Sequence, residues 1–226
     1  MTALGRPRLH LRATTSTNDR ARELAQAGAP HGTLVTASEQ SAGRGRQGRT
    51  WSAPAGQALL MSVVLHSPPL LLPLAAGVAV AEAAGPDARV KWPNDVLIDD
   101  RKVAGILAES RPPARWVVLG IGLNVAVRLD DLPPELHTTA GTLGLQPADV
   151  EPTLARVLAG LERVLVLEPA ALLDAYRARD ALRGREITWS GGRGRAAGID
   201  DAGRLVVELP GGGRSVLAAG EVHLTG

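Results

Sequence analysis

Hydrophobic and polar positions change their period several times along this chain, which predicts a mixture of strands and helices. Residues 8–13 alternate between polar and apolar, whereas 58–65 form an almost continuous apolar run. The first pattern is typical of a half-buried strand and the second of a buried strand. With five further β-type runs they predict a mixed central sheet. Those further runs are 34–37, 89–92, 96–99, 103–109 and 116–125.

Helical patterns occur in three places. Thr17 or Asn18 can cap a helix that runs to about residue 27. A helix packed in the core is expected from about 71 to 84. The Leu, Ala and Arg pattern of 149–179 predicts one or two amphipathic helices, with an interruption near Pro169.

A long stretch from residue 50 to residue 81 contains no charged side chain and raises the question of a membrane span. Prolines and a glycine divide it into pieces too short to cross the hydrocarbon of a bilayer. We therefore expect no membrane segment. The residues that divide it are Pro54, Gly56, Pro68, Pro69 and Pro73.

The residue pattern of the sequence changes after Arg183 from helical to β-type spacing. Four short β-type runs between 186 and 224 are separated by turns rich in Gly and Asp. This pattern predicts an α+β protein in which residues 1–182 form a domain around the mixed sheet with flanking helices. Residues 183–226 form a small all-β barrel. A unit this small buries too little apolar surface to be robust alone, so we expect it to dock on the larger domain.

The amino-acid composition excludes several kinds of chemistry and binding. The chain has no cysteine, which excludes disulfides, thiolate nucleophiles and thiolate metal sites. Its 25 basic and 23 acidic side chains give a formal net charge of +2, a weak argument for nucleic-acid binding. The first fourteen residues carry charge and lack an apolar core, so we expect no signal peptide and a cytoplasmic location.

Lysine and asparagine are rare in this chain. The only lysines are Lys91 and Lys102, and the only asparagines are Asn18, Asn94 and Asn124. Arginine has evidently replaced lysine wherever a generic positive charge suffices. Because lysine is a compact point charge and arginine a planar fork, a surviving lysine marks a place where an ammonium group is needed.

The segment Ser41–Arg49 is the most unusual local sequence, with three glycines and three arginines in nine residues. Glycines let the backbone approach a ligand, and arginines donate paired hydrogen bonds to phosphate, so the loop suits a bound nucleotide. A mobile basic loop or a nucleic-acid-binding segment would look similar, and the phosphate-loop pattern ending in Lys-Ser or Lys-Thr is absent. Its few apolar residues predict a loop that is mobile without ligand.

Two further segments carry candidate chemistry. The run Lys91–Asp95 contains both rare residue types, and Pro93 forces a strand end or turn there. Asp95 could hold a magnesium ion and Asn94 a phosphate or metal, although a structural turn with a core tryptophan is the plainer interpretation. In Gly120–Asn124, two glycines on an apolar strand indicate either a close approach to the backbone or a bulge. The five histidines lack metal-ligand spacing.

Taken together, these segments resemble, in order, the motifs of biotin–protein ligases. The resemblance runs from about residue 14 to the end of the chain. It implies a catalytic domain related to class II synthetases, followed by a small Src-homology-like barrel. The matching segments are Ser16–Asn18, Glu39–Trp51, Lys91–Asp95, Arg101–Leu107 and Gly120–Asn124.

The resemblance implies an enzyme that uses ATP and Mg²⁺ to convert biotin to biotinyl-5'-AMP. The enzyme then transfers biotin to a lysine of a biotin carboxyl carrier domain of a biotin-dependent carboxylase. Two anions must meet in the first step, so fixed cations have to offset their repulsion. The resemblance gives this role to Lys102 and Arg46 as catalytic residues, with Lys102 between the biotin carboxylate and the α-phosphate.

The resemblance also assigns binding residues by position. It places the metal at Asp95. It places biotin against Ser16, Thr17, Asn18, Gln40, Gly43, Arg44, Gly45, Arg46, Trp51, Lys102, Gly105 and Gly122. It places ATP against Arg46, Arg49, Trp92, Asn94, Lys102 and Asn124.

Two other functions are compatible with the sequence: a related ligase with another substrate, and a binding module that is not an enzyme. A lipoate or octanoate ligase has a related fold, although the octanoyl transferases need a cysteine that this chain lacks. A basic nucleic-acid-binding regulatory module would use the glycine and arginine loop. Bifunctional ligases carry an N-terminal DNA-binding domain, and only fifteen residues precede Ser16, so we expect the monofunctional type and no specific DNA binding. A homodimer is compatible with the sequence.

Overall fold

A computed structural model describes residues 4–110 and 115–225 as an α+β protein with two main sheets. The described helices are α1 (Thr17–Gln26), α2 (Leu72–Ala84), α3 (Val150–Val164) and α4 (Pro169–Arg177). The strands of the first part are β1 (Arg8–Leu11), β2 (Leu34–Ala37), β3 (Gly43–Arg44), β4 (Thr50–Trp51), β5 (Ala58–His66), β6 (Arg89–Lys91), β7 (Asp95–Ile98), β8 (Arg101–Glu109) and β9 (Trp116–Asn124). The C-terminal strands are β10 (Glu186–Trp189), β11 (Gly192–Ile199), β12 (Leu205–Glu208), β13 (Arg214–Leu217) and β14 (His223–Leu224).

The larger sheet has seven strands in the order β1-β2-β5-β9-β8-β7-β6. The pair β1 and β2 is parallel and the remaining neighbours are antiparallel, so the expected mixed sheet is confirmed. The C-terminal strands form a five-stranded antiparallel sheet in the order β13-β12-β11-β10-β14. The strands β3 and β4 pair as a separate ribbon within the glycine and arginine loop.

The two faces of the larger sheet have different partners. On β5, Leu59, Met61 and Val63 belong to the main core, which also contains α2, α3 and α4. The alternating residue Val64 packs under α1 in a second, smaller core, and Leu60 belongs to a third. Ser62 lies between these two smaller cores on the same face. This part of the sheet is therefore not filled by apolar side chains and can take part in a ligand-binding site.

Most predicted elements are confirmed within one or two residues. The uncharged stretch contains α2, which is buried along most of its length because it packs between the sheet and α3. No helix within residues 4–110 or 115–225 is long and apolar enough to span a membrane. The interruption near Pro169 is also confirmed: this proline is the first residue of α4, where its missing N–H costs no helical hydrogen bond.

The predicted cap of α1 is wrong by one residue. The helix begins at Thr17 and its N-cap is Ser16, whose backbone is extended and whose side chain makes no capping hydrogen bond. Instead, the Gln40 side chain accepts the Thr17 N–H through Oε1 at 2.7 Å. A distant segment therefore satisfies one of the free N–H groups that every helix start presents.

The C-terminal sheet packs on the first part of the chain, as expected. Ile187, Leu205 and Val207 belong to the same continuous core as α2. The buried indole of Trp92 donates its N–H to the carbonyl of Gly203 at 3.1 Å. This contact ties the turn after β6 to the turn between β11 and β12.

Candidate active site

A cavity of about 420 Å³ opens on the face of the larger sheet that carries α1. Its lining comes from the start of α1, the glycine and arginine loop, Met61 on β5, strands β6 to β9 with their turns, residues 136–140, and the segment 220–224, which ends in β14. The cavity therefore gathers segments that lie as much as two hundred residues apart in sequence.

Glycines form the floor of this cavity. Gly105 on β8 and Gly122 on β9 are direct cross-strand partners. The indole of Trp51 lies on the bare backbone that they leave: a methyl group at position 122 would come 2.5 Å from Trp51 Cε2, and one at position 105 would come 3.1 Å from its ring. Close approach to the backbone, rather than a bulge, accounts for these glycines because the pairing is regular here.

The polar end of the cavity is built around the start of α1. Thr17 donates to Gln40 Oε1 from both its backbone N–H and its hydroxyl, at 2.7 and 3.0 Å. The Ser62 hydroxyl lies 2.6 Å from Asn18 Oδ1 and 2.8 Å from Thr17 Oγ1. A side chain on Gly120 would collide with Asn18, so that glycine makes room for the amide. These are donors and acceptors fixed in orientation before any ligand arrives.

The cationic part of the cavity contains both lysines. Lys102 Nζ lies 2.7 Å from Asp95 Oδ1, although the angles of this ion pair are not those of a hydrogen bond. The same ammonium lies 5.9 Å from the centre of the Trp51 ring, within range of a cation–π interaction. Burial lowers the pKa of Lys91, an effect that Asp95 opposes and that Lys102 and Arg49 reinforce.

The arginines of the loop reach across the cavity to other segments. Arg46 donates to Asn94 Oδ1 at 2.8 Å and to the carbonyl of Gly220 at 3.3 Å. Arg49 forms an ion pair with Glu221. Polar contacts therefore hold the loop in place of the apolar contacts that it lacks. Two of them reach Gly220 and Glu221, which lie between β13 and β14.

Comparison with known proteins decides the family. A sequence profile of the biotin/lipoate A/B protein ligase family matches residues 11–125, and a profile of the biotin protein ligase C-terminal domain matches residues 182–224. The chain belongs to the biotin/lipoate A/B protein ligase family. The family and the α+β fold expected from the sequence are confirmed.

Named relatives support this membership. The biotin–[acetyl-CoA-carboxylase] ligase of Paracoccus denitrificans is 37% identical over 96% of this chain and 100% of its own length. The enzyme of the same name from Mycobacterium tuberculosis is 38% identical over 85% of this chain and 79% of its own length. The bifunctional ligase/repressor BirA of Bacillus spizizenii is 35% identical over 96% of this chain and 74% of its own length.

A solved family member has the same architecture. Biotin protein ligase from Aquifex aeolicus, in complex with biotin and ATP, matches with a TM-score of 0.80 and 26% sequence identity. The match covers 97% of this chain and 99% of that chain.

Most residues that the sequence assigned to ligands line the cavity of the present chain. Gly43 and Asn124 do not. Gly43 has no room for a side chain because the Trp51 carbonyl lies against it in the β3–β4 ribbon. Asn124 is buried and donates to the Gly141 carbonyl at 2.8 Å, and its Oδ1 has no hydrogen-bond partner among the described residues. The residues that do line it are Ser16, Thr17, Asn18, Gln40, Arg44, Gly45, Arg46, Arg49, Trp51, Trp92, Asn94, Asp95, Lys102, Gly105 and Gly122.

Sequence reasoning missed three groups of lining residues. Lys91 was marked as rare but given no role. Leu136, Thr139 and Ala140 lie beside Lys102 because the backbone of 139–141 exchanges hydrogen bonds with it. Residues 220–222 come from a segment with no recognisable motif. Only the rarity of lysine in the composition could have signalled one of these groups.

The Asp95 carboxylate is the candidate magnesium ligand in the cavity. No group of three or more His, Asp and Glu side chains in the described parts of the chain could by itself hold a metal ion. Asp95 Oδ1 is nevertheless buried in the cavity, where the described residues offer it the ion pair with Lys102 but no hydrogen bond. Because Mg²⁺ keeps several waters and binds through one or two carboxylates plus substrate phosphates, a single carboxylate fits.

Proposed function

We propose that this chain is a biotin–protein ligase, which forms biotinyl-5'-AMP from biotin and ATP and transfers biotin to a lysine of a carrier domain. The observation that supports the proposal is one cavity that contains Lys102 together with two groups of polar side chains. One group is the fixed amide and hydroxyl groups around Asn18 and Gln40, and the other is the loop arginines with Asn94.

In the first step a carboxylate oxygen of biotin attacks the α-phosphorus of ATP, and pyrophosphate leaves. Lys102 and Arg46 offset the repulsion between the two anions and stabilise the charge that develops on the phosphate oxygens. Both cations are positioned in advance by Asp95 and Asn94, so little reorganisation accompanies the reaction. Asp95 would hold Mg²⁺, which supplies further neutralisation of the phosphates.

In the second step the amine of the acceptor lysine attacks the acyl carbon, and AMP leaves with the electrons of the broken bond. The mixed anhydride must be kept from water until the carrier arrives. The loop tied to Gly220 and Glu221 forms the wall that shields it. The proposed carrier is a biotin carboxyl carrier domain, in keeping with the names of the relatives.

The remaining ligand contacts follow the cavity. Biotin's ring system is assigned to the polar end with Ser16, Thr17, Asn18 and Gln40, and its chain to the Trp51 face above Gly105 and Gly122. The nucleotide is assigned to the end with Arg46, Arg49 and Asn94. Trp92 contributes from the wall only, because its N–H is committed to Gly203.

We also propose a cytoplasmic enzyme without sequence-specific DNA binding. Many of its arginines are neutralised in place: Arg8, Arg163, Arg177 and Arg185 all pair with carboxylates. These four ion pairs reduce the basic charge that is available to a phosphate-binding surface. An electrophoretic shift that is tight, biotin-dependent and limited to one DNA sequence would contradict this. Light scattering with and without biotin tests for a homodimer.

The experiment that tests the activity is a substrate comparison. The protein is mixed with ATP, Mg²⁺ and either biotin or lipoate, and acyl-adenylate is detected by mass spectrometry. A biotin–protein ligase forms biotinyl-adenylate and little lipoyl-adenylate. Preferential formation of lipoyl-adenylate would make the chain a lipoate ligase, and no acyl-adenylate with either acid would favour a binding module.

A further inference from the structure

Glu109 lies at the end of β8, outside every segment that carried the family resemblance. Its two carboxylate oxygens contact different parts of the site. Oε2 accepts the Asn18 amide at 2.8 Å and the Arg22 guanidinium at 3.2 Å. Oε1 lies 3.2 Å from Nη2 of Arg44 in the glycine and arginine loop.

Asp19 completes a ring of alternating charge. Its Oδ1 accepts Arg22 at 2.7 Å and Arg44 at 2.8 Å, so two arginines and two carboxylates are linked in a closed cycle. Burial alone would raise the pKa of the Asp19 carboxyl, but the hydrogen bonds from Arg44 and Arg22 outweigh it and lower the pKa. The Arg22 side chain is 13% exposed and that of Glu109 is 24% exposed, so solvent screens this pair less than the Arg44–Asp19 pair, whose side chains are 39% and 33% exposed.

The cycle changes the role of Arg44. Its side chain is occupied by Asp19 and Glu109, which leaves its backbone, and not its guanidinium, for a ligand in the cavity. The same cycle fixes the Asn18 amide, since Glu109 takes its Nδ2 and Ser62 lies at its Oδ1. One N–H and one acceptor position of Asn18 then remain free for a ligand.

We infer that Glu109 is a positioning residue that couples the orientation of Asn18 to the closure of the first half of the loop. The inference rests on the proposed function, because Asn18 and the loop are where that function places biotin. Binding of biotin at Asn18 and retention of biotinyl-adenylate under the loop then depend on one carboxylate that touches neither molecule.

The isosteric variant Glu109→Gln tests the coupling. Glutamine carries no charge, so the contacts with Asn18, Arg22 and Arg44 all weaken. It also offers one acceptor oxygen and one donor amide, so whichever way it turns, either Arg44 or Asn18 faces a donor. The KM for biotin should rise about 10-fold and release of biotinyl-adenylate should accelerate about 10-fold, the scale of one charge-assisted hydrogen bond. The kcat of adenylation at saturating biotin should be nearly unchanged, because Lys102 and Arg46 are not in the cycle.

A matched control separates position from general loss of charge. Glu23→Gln makes the same substitution on α1, where the Glu23 side chain pairs with Arg20 and, within the described residues, forms no ion pair with Arg22 or Arg44. It should leave KM, kcat and adenylate release at wild-type values. Arg44→Met should accelerate adenylate release as much as Glu109→Gln, and the double variant should be no faster than either, because all three break the same tie.

Two results would overturn the inference. One is a wild-type enzyme that forms biotinyl-adenylate together with a Glu109→Gln variant of unchanged KM and unchanged release. The other is a Glu109→Gln variant in which kcat falls while KM rises and the melting temperature drops, which would make Glu109 a structural residue. Absence of biotinyl-adenylate in the wild type would instead overturn the proposed function.

Discussion

Lys102 Nζ on β8 lies 2.7 Å from Asp95 Oδ1 on the neighbouring strand β7, so a carboxylate holds this lysine in the cavity. The pair brings a fixed cation next to a buried oxygen that can bind a metal ion. We predict that Lys102→Met lowers the adenylation rate by about 10²–10³-fold, the scale of removing one donor that stabilises transition-state charge.

The fold of Lys102→Met should change little, because the lysine side chain is 34% exposed. Single-turnover formation of biotinyl-adenylate and a thermal melt measure the two effects separately. Arg20→Met, which removes an exposed cation from α1, is the control and should retain wild-type rates. An equally active methionine variant would remove Lys102 from the mechanism.

The contact between Trp51 and the glycine floor predicts the effect of one added methyl group. In Gly122→Ala the new carbon would lie 2.5 Å from the indole, so the ring must shift or the strand must move. Such overpacking costs about 1–3 kcal/mol and should raise the KM for biotin by displacing the cavity wall. Gly211→Ala places a methyl group where no heavy atom lies within 4 Å and should be neutral in the same assay.

Arg46 ties the loop to two other segments, and its removal should open the site. Arg46→Gly loses the contacts to Asn94 and Gly220, so biotinyl-adenylate should escape and biotinylate lysines on unrelated proteins. Mass spectrometry of a bystander protein measures this. Arg46→Lys keeps the charge but donates from a single nitrogen instead of a planar fork, so it should hold the two contacts less well and leak to an intermediate extent. A glycine variant that still forms biotinyl-adenylate in single turnover but modifies no bystander would show that the loop does not retain the intermediate.

Asp180 gives a prediction about pH. Burial raises the pKa of its carboxyl, opposed by hydrogen bonds from the backbone N–H groups of Leu182 and Arg183 and by the Arg183 charge. A carboxyl whose pKa is higher in the folded than in the unfolded chain contributes stability at low pH that is lost as pH rises through the folded value. Asp180→Asn retains the acceptor for Leu182 N–H and cannot ionise.

The melting temperature of Asp180→Asn should therefore exceed that of the wild type at pH 7, and the difference should shrink as pH falls towards 4. Thermal melts of both proteins across this range test the sign. A difference that grows at low pH would show that the ionised carboxylate stabilises the fold.

Local pattern predicted the elements well where one residue type dominates. Strand β5 and helix α2 are apolar along most of their length, and the start of α4 at Pro169 is set by the chemistry of proline. The fold of the site depends instead on register. That Gly105 faces Gly122, and that both lie under Trp51, follows from the pairing of β8 with β9 and from the path of the loop. Neither has a local signal.

Contacts between distant segments explain what the sequence did not predict. Gln40 supplies the hydrogen-bond acceptor at the start of α1, and Glu221 reaches Arg49 from the far end of the chain. Trp92 lines the cavity, and its expected contact with ATP stays a prediction; its indole N–H donates to Gly203 because the C-terminal sheet packs there. Charged and amide side chains at such points have no periodicity, so only the assembled fold pairs them.

The central claim is that one cavity both activates biotin and delivers it to a carrier lysine. The most direct test isolates the enzyme with biotinyl-adenylate formed from biotin and ATP, removes free substrates, and adds a biotin carboxyl carrier domain. We predict release of AMP and a carrier that is heavier by one biotinyl group, with no transfer to a carrier whose acceptor lysine is replaced by arginine. Failure to transfer biotin, or equal transfer to both carriers, would contradict the account.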